Sequence, residues 1–276
     1  GRVVVKFYRP DRWNDAQILE EHAYTRELLE AEVPAVAPLA TAGRTLHYHA
    51  GFRYAIYPVQ GGRPPEFERD DTLVRMGRFL GRLHAVGRRA PFVHRPVLDI
   101  ASFGEASRTT LSPWLPPDLA PAWASVVDHA LEQVRHCYAR AGDVAPIRLH
   151  GDCHAGNVLW TDTGPHFVDF DDCRTAPAVQ DLWMLLSGER EQQQEQLAAV
   201  LEGYEDFVAF DDRELYLLEA LRTLRLLHYS AWIARRWDDP AFPAAFPWFN
   251  TAHYWQERIL ELREQIALMD EPPLAA

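Results

Sequence analysis

Lysine is almost missing from this chain. There is one, Lys6, among 276 residues, and the other cationic side chains, histidine aside, are arginine. Positive charge is scarce altogether: Lys+Arg is 28 against 40 for Asp+Glu, a net charge of −12. That balance excludes nonspecific nucleic-acid binding and adhesion to anionic lipid, which need a basic face. It leaves open an anionic small substrate, which needs only local positive charge. Cysteine is scarce too. Cys137, Cys153 and Cys173 are odd in number and show no C-x-x-C spacing, which argues against a disulfide framework and fits a reducing compartment. No apolar run approaches the roughly 18 residues that span a bilayer, and no signal peptide is visible. The chain is not short of core material. Hydrophobic residues are 47% and charged residues 25%, the balance of a globular protein with room for one large domain or two lobes.

Along the chain, Val3 to Tyr8 reads as a strand ending at Arg9-Pro10. Asn14 or Asp15 caps a helix over Ala16 to Glu32. Thr45 to His49 and Phe52 to Val59 read as a hairpin around Ala50-Gly51. Gly61-Gly62-Arg63-Pro64-Pro65 is the clearest linker, and the lobe boundary is set there, giving 1–60 and 61–276. Leu73, Met76, Leu80 and Leu83 mark one face of the next helix. Residues 91–120 are rich in proline and read as irregular. A helix over Pro121 to Ala141 follows, then short strands at Ile147 to His150, Val158 to Trp160 and His166 to Phe170. From Asp181 to Met269 the pattern is helical, with breaks at Asp211-Asp212, Asp239-Pro240 and Pro243 to Pro247. Eight of the nine tryptophans follow residue 100, so large aromatics pack the helical part. The chain opens directly on Val3, inside a strand, and a segment upstream is expected.

The densest chemistry is His150-Gly151-Asp152-Cys153-His154-Ala155-Gly156-Asn157, a loop between apolar runs. Twelve residues after Asn157 comes Asp169, in Val168-Asp169-Phe170-Asp171-Asp172. An Asp, an amide five residues later and a second Asp beyond a hairpin is the pattern phosphoryl transfer requires. Such transfer needs a carboxylate to position an acceptor hydroxyl and take its proton. Asn157 and Asp169 offer the hard oxygens that Mg²⁺ prefers. A rival reading takes His150, Asp152 and His154 as zinc ligands of a hydrolase, with His47 and His49 as a second pair. It leaves Asn157, Asp169 and the first strand unexplained. Lys6, on a strand within an apolar run, needs an anionic partner. Nucleotide phosphate is one candidate, and Glu20, Glu21 and Glu27 on the following helix are others.

The eight residues from His150 to Asn157 resemble the H-G-D-x-x-x-x-N loop of the aminoglycoside phosphotransferase and choline kinase group. Lys6-Phe7-Tyr8-Arg9-Pro10, Leu80-Gly81-Arg82-Leu83-His84 and the run from Pro177 to Leu186 resemble bacterial Ser/Thr protein kinases of that group. The likeness runs from Val3 to Leu274. It implies an α+β, two-lobed protein-kinase-like fold, with a strand-rich nucleotide-binding lobe over 1–60 and a mainly helical catalytic lobe over 61–276. It implies ATP and Mg²⁺ as cofactors. By resemblance Asp152 is the proton acceptor, Asn157 and Asp169 hold the metal, Lys6 meets the ATP phosphates, and Glu21 (or Glu20) pairs with it. Ile56 to Val59 is the hinge, with Tyr57 and Val59 meeting adenine through backbone groups. His150 and Asp181 support the loop. The implied acceptor is a Ser/Thr hydroxyl of a protein in a stress response; a small-molecule hydroxyl kinase and a nucleotide-binding module without turnover are the alternatives. A cytoplasmic monomer is expected.

Two departures stand out. Only Gly1 to Val5 precede Lys6, too few for the family's phosphate-covering hairpin, which predicts weakened ATP affinity unless an upstream segment is restored. Only eight residues, Cys173 to Gln180, separate Asp172 from Asp181, too few for a long activation segment. Cys153 and Cys173 lie close to the loop and read either as redox-sensitive thiols or as small buried residues. Arg88-Arg89, Arg95 and Arg235-Arg236 are local positive clusters, read as solvated surface.

Overall fold

A computed structural model describes residues 2–67 and 70–275. In chain order the strands are β1 (Val3–Tyr8), β2 (His47–His49), β3 (Phe52–Pro58), β4 (Ile147–Leu149), β5 (Val158–Thr161), β6 (Gly164–Phe167) and β7 (Arg174–Ala176). The helices are α1 (Asp15–Glu30), α2 (Asp70–Gly87), α3 (Ala106–Leu111), α4 (Ala120–Ala141), α5 (Val179–Leu182), α6 (Arg190–Tyr204), α7 (Leu218–Ala234), α8 (Ala241–Ala245) and α9 (Ala252–Asp270). The N-terminal region is strand-rich and the remainder mostly helical, the α+β class expected. Two compact units form, one mainly from Gly1–Val97 and Ala145–Phe210, the other from Leu98–Val144 and Asp211–Leu274.

In the first unit the β-branched run Val3-Val4-Val5 makes β1 an edge strand of an antiparallel sheet ordered β1-β3-β2. Val3 lies opposite Pro58 and Tyr8 opposite Arg53. Asn14 starts α1 with a capping box: its side chain accepts from Gln17 N at 2.9 Å, and Gln17 Oε1 accepts from Asn14 N at 3.0 Å. α1 then seats Ile18 against Tyr8, Leu46 and Ala55 under the sheet. The Leu73, Met76, Leu80 and Leu83 face of α2 is buried as its spacing predicts. α2 and α6 touch backbone to backbone: a Cβ on Gly77 would sit 1.9 Å from Val200 O, so only glycine permits that approach. β4 pairs with β7 and β5 with β6, and the two pairs carry the loops of interest on their ends.

The second unit is helical, with α4 packed on α7 and α9. Trp123 and Trp255 are buried in it, ring centroids 6.4 Å apart, as the tryptophan distribution suggests. Two expectations need correction. The span 91–120 is not irregular throughout: a π-helix over Ile100–Glu105 runs into α3, opened by a capping box of Asp99 with Ser102. Helix α8 does end within Pro243 to Pro247, after Ala245, but Pro243 itself is not the breaker. It lies in the first turn of α8, where a helix has no use for its N–H. β7 is an unexpected strand, and its partner β4 lies far away in sequence.

Candidate active site

Every candidate site residue lies in the first unit. Asp181, wholly buried at the start of α5, accepts from the backbone N–H of His150 at 2.9 Å and of Gly151 at 2.8 Å. His84, wholly buried on α2, makes a third contact with that carboxylate at 3.2 Å, and its other ring nitrogen meets Tyr204 Oη at 3.0 Å. The turn so gripped has Gly151 at φ +83°, and a Cβ there would meet Asp172 O at 2.3 Å. His150 points inward, with Nε2 at 2.9 Å from Val168 O. The loop is thereby tied both to α5 and to the segment ahead of Asp169.

The loop then presents its polar face. Asn157 Nδ2 donates to Asp152 O at 2.9 Å and to Asp152 Oδ2 at 3.3 Å. With its nitrogen committed this way, the amide oxygen of Asn157 is left as a donor for a hard cation. Val168 N donates to Asn157 O at 3.0 Å, which brings Asp169 back beside the loop. Asp169 adopts a left-handed conformation, φ 58° and ψ 61°, uncommon for a residue with a side chain and a frequent sign of a functional position.

Lys6 reaches this carboxylate from β1. Its Nζ is 3.0 Å from Asp169 Oδ1, 3.1 Å from Asp171 Oδ1 and 4.0 Å from Glu21 Oε1. Burial by itself would lower the Lys6 pKa, but Glu21, then Asp171 and Asp169, outweigh it and raise it. Burial pushes the Glu21 carboxyl up to about 7, with Lys6 and Arg95 pulling the other way. For Asp169 burial acts upward, yet the charge and hydrogen bond of Lys6 hold its carboxyl below the usual range. Of the two helix carboxylates, Glu21 faces Lys6. Glu20 faces away and accepts three backbone N–H groups of Val93, His94 and Arg95.

A cavity of about 470 Å³ opens beside Lys6, bounded by Val4, Tyr57, Leu159, Val168, Asp169 and Phe170. Its walls are largely apolar and its charges gather at one end, the usual form of a small-molecule site. Tyr57 lines it, and its hydroxyl lies 3.2 Å from that of Tyr8. Pro58 and Gln60 also line it, while Val59 is 47% exposed and does not.

Several residues without an assigned role prove central. Asp171 meets both Lys6 and Arg12, and Arg12 also donates to Asp172 at 3.0 Å. The second and third acids of Asp169-Phe170-Asp171-Asp172 were the available signal for them. Arg95 is buried, not solvated, because carbonyls of residues 170, 171 and 173 and the Glu21 carboxylate surround it. The zinc reading fails on geometry. Both ring nitrogens of His150 are engaged within the protein, by Val168 O and by Asp152 N, and among the described residues no group of three His, Cys, Asp or Glu is arranged to hold a metal. Cys153 and Cys173 are fully buried. Burial raises the thiol pKa of Cys153 far above its ordinary value and that of Cys173 to about 12, so both stay protonated and unreactive. Among the described residues, no helix is long and apolar enough to cross a membrane.

The phosphotransferase enzyme family matches residues 1–218. The chain is 47% identical, over 99% of its own length and 83% of the relative's, to a stress response kinase A of Salmonella choleraesuis. It has the same identity and coverage with a protein of Salmonella typhimurium named serine/threonine protein kinase RdoA. Among solved structures, an amicoumacin kinase in complex with AMP-PNP and Ca²⁺ superposes with a TM-score of 0.74 at 18% identity, covering 99% of this chain and 83% of that one. At that identity the likeness speaks for the fold.

Proposed function

The chain belongs to the phosphotransferase enzyme family and is a kinase, and from that premise we propose that it transfers the γ-phosphoryl group of ATP to a serine or threonine hydroxyl of a protein. The observation that carries the reading is the meeting of Lys6, Glu21, Asp169 and Asp171 at the charged end of an apolar cavity, beside the Asp152–Asn157 pair. In this reading Lys6 holds phosphate oxygens and Glu21 holds Lys6. The hinge backbone at Tyr57 and Pro58, which line the cavity, meets adenine. Asn157 and Asp169 bind Mg²⁺ through hard oxygens, which fits their chemistry. Held by Asn157 and Asp169, the metal would supply neutralising positive charge to the phosphoryl group being transferred. Asp152 orients the acceptor hydroxyl and receives its proton as the new O–P bond forms and the bond to the β–γ bridging oxygen breaks, releasing ADP. Residues 1–60 serve as the nucleotide lobe and 61–276 as the catalytic and acceptor lobe. His150 and Asp181 keep the loop in shape.

The protein acceptor and the stress role are supported by the names of the relatives, not by any group in the site. A small-molecule hydroxyl is the second reading. The eight-residue separation of Asp172 from Asp181 favours it, since little chain is left there to dock a peptide. One assay tests both readings: labelled ATP with protein mixtures on one side and small hydroxyl compounds on the other. Label on serine or threonine of a protein is expected; label confined to the small compounds would replace the acceptor.

A further inference from the structure

Arg95 is unusual for an arginine in having no part of its side chain exposed. A buried guanidinium is costly unless its donors are met. Here Nε donates to Cys173 O at 2.9 Å, and Nη2 donates to Asp171 O and, at 3.4 Å, to Phe170 O. Nη1 makes no hydrogen bond but faces Glu21 Oε2, likewise without one, as an ion pair at 3.7 Å, and the group lies 4.2 Å from the centre of the Trp13 ring. The neighbouring backbone grips α1 as well. Glu20 accepts from Val93, His94 and Arg95 N–H at 2.5, 2.8 and 2.6 Å, and Gln17 donates to His94 O at 3.1 Å. On its other side the segment takes a hydrogen bond from Thr175 N to Pro96 O at 3.1 Å. Residues 93–96 are thus tied to α1 and to the chain that follows Asp169. Glu21 has a cation on each side, Lys6 near Oε1 and Arg95 near Oε2.

We propose that Arg95 is a positioning residue, which fixes Glu21 against Lys6 and couples α1 to the backbone of residues 170–173. The proposal rests on the reading of Lys6 as the phosphate-binding cation, but its geometric content can be measured without turnover. Lys6 is the only lysine in 276 residues, so protein labelled with ¹⁵N-lysine gives a single side-chain ammonium signal. In Arg95→Met, which keeps most of the side-chain volume, Glu21 loses one of its two holders. The Lys6 signal is expected to move toward its position in Glu21→Gln. KM for ATP is expected to rise about tenfold with a smaller change in kcat, and Arg95→Lys to recover part of the loss. Should Arg95→Met not fold, Glu20→Gln loosens the same segment from outside and is expected to move the signal in the same direction. An unmoved Lys6 signal in folded Arg95→Met, or in Glu20→Gln where Arg95→Met does not fold, would overturn the proposal. A moved signal in a protein that transfers no phosphate would uphold the clamp and refute the kinase chemistry.

Discussion

Burial alone would keep Glu21 protonated at neutral pH; Lys6 and Arg95 oppose it, and the carboxyl settles at about 7 against an ordinary 4.5. A carboxyl whose folded pKa is raised holds its proton more tightly folded than unfolded. Its contribution therefore favours the folded state below about 4.5 and declines as pH rises to about 7. Urea midpoints measured across that window should fall more steeply with pH for the parent than for Glu21→Gln. Nucleotide binding should run the opposite way, since only ionised Glu21 attracts Lys6: KM for ATP should drop as pH rises toward 7, with that limb missing in Glu21→Gln. The thiols give a second expectation. Both are buried and protonated, so mild oxidation should leave parent and Cys153→Ala, Cys173→Ala protein equally active. Loss of activity confined to the parent would restore a redox role.

The turn between β4 and the catalytic loop is held by Asp181 on one side, and on the other Asp172 O leaves no room for a Cβ on Gly151. Gly151→Ala meets both positive φ and a backbone clash, and should cost about 1–3 kcal/mol in thermal or urea unfolding together with most of the activity. A variant with parental stability would show that the turn has slack. The elements differ in how far they can be read from the sequence. α1 and α2 are legible because their signals are local: Asn14 and Gln17 make a cap three residues apart, and Leu73 to Leu83 share one face. The His150 to Asn157 loop is legible for the same reason. β7 is not, because three residues become a strand only through β4, which pairs from a distant part of the chain. Arg95 reads as surface charge because its partners, Glu21 and the carbonyls of 170–173, are brought to it only by folding. His84 hides likewise behind a helical face.

In the proposed reading a chain with net charge −12 binds a nucleoside triphosphate. It brings one lysine and a set of carboxylates to the same cavity end, an arrangement that needs a divalent cation to accept a triphosphate. Removing divalent metal with EDTA should abolish phosphoryl transfer, and added Mg²⁺ should restore it. Transfer that persists under chelation would contradict the role given to Asn157 and Asp169. The most direct test of the central claim is the rate of phosphoryl transfer in Asp152→Asn, with nucleotide binding measured alongside. Loss of at least about 100-fold in rate with binding retained is the expected result. An unchanged rate would mean that Asp152 does not take the acceptor's proton, and that the loop from His150 to Asn157 is not the catalytic centre.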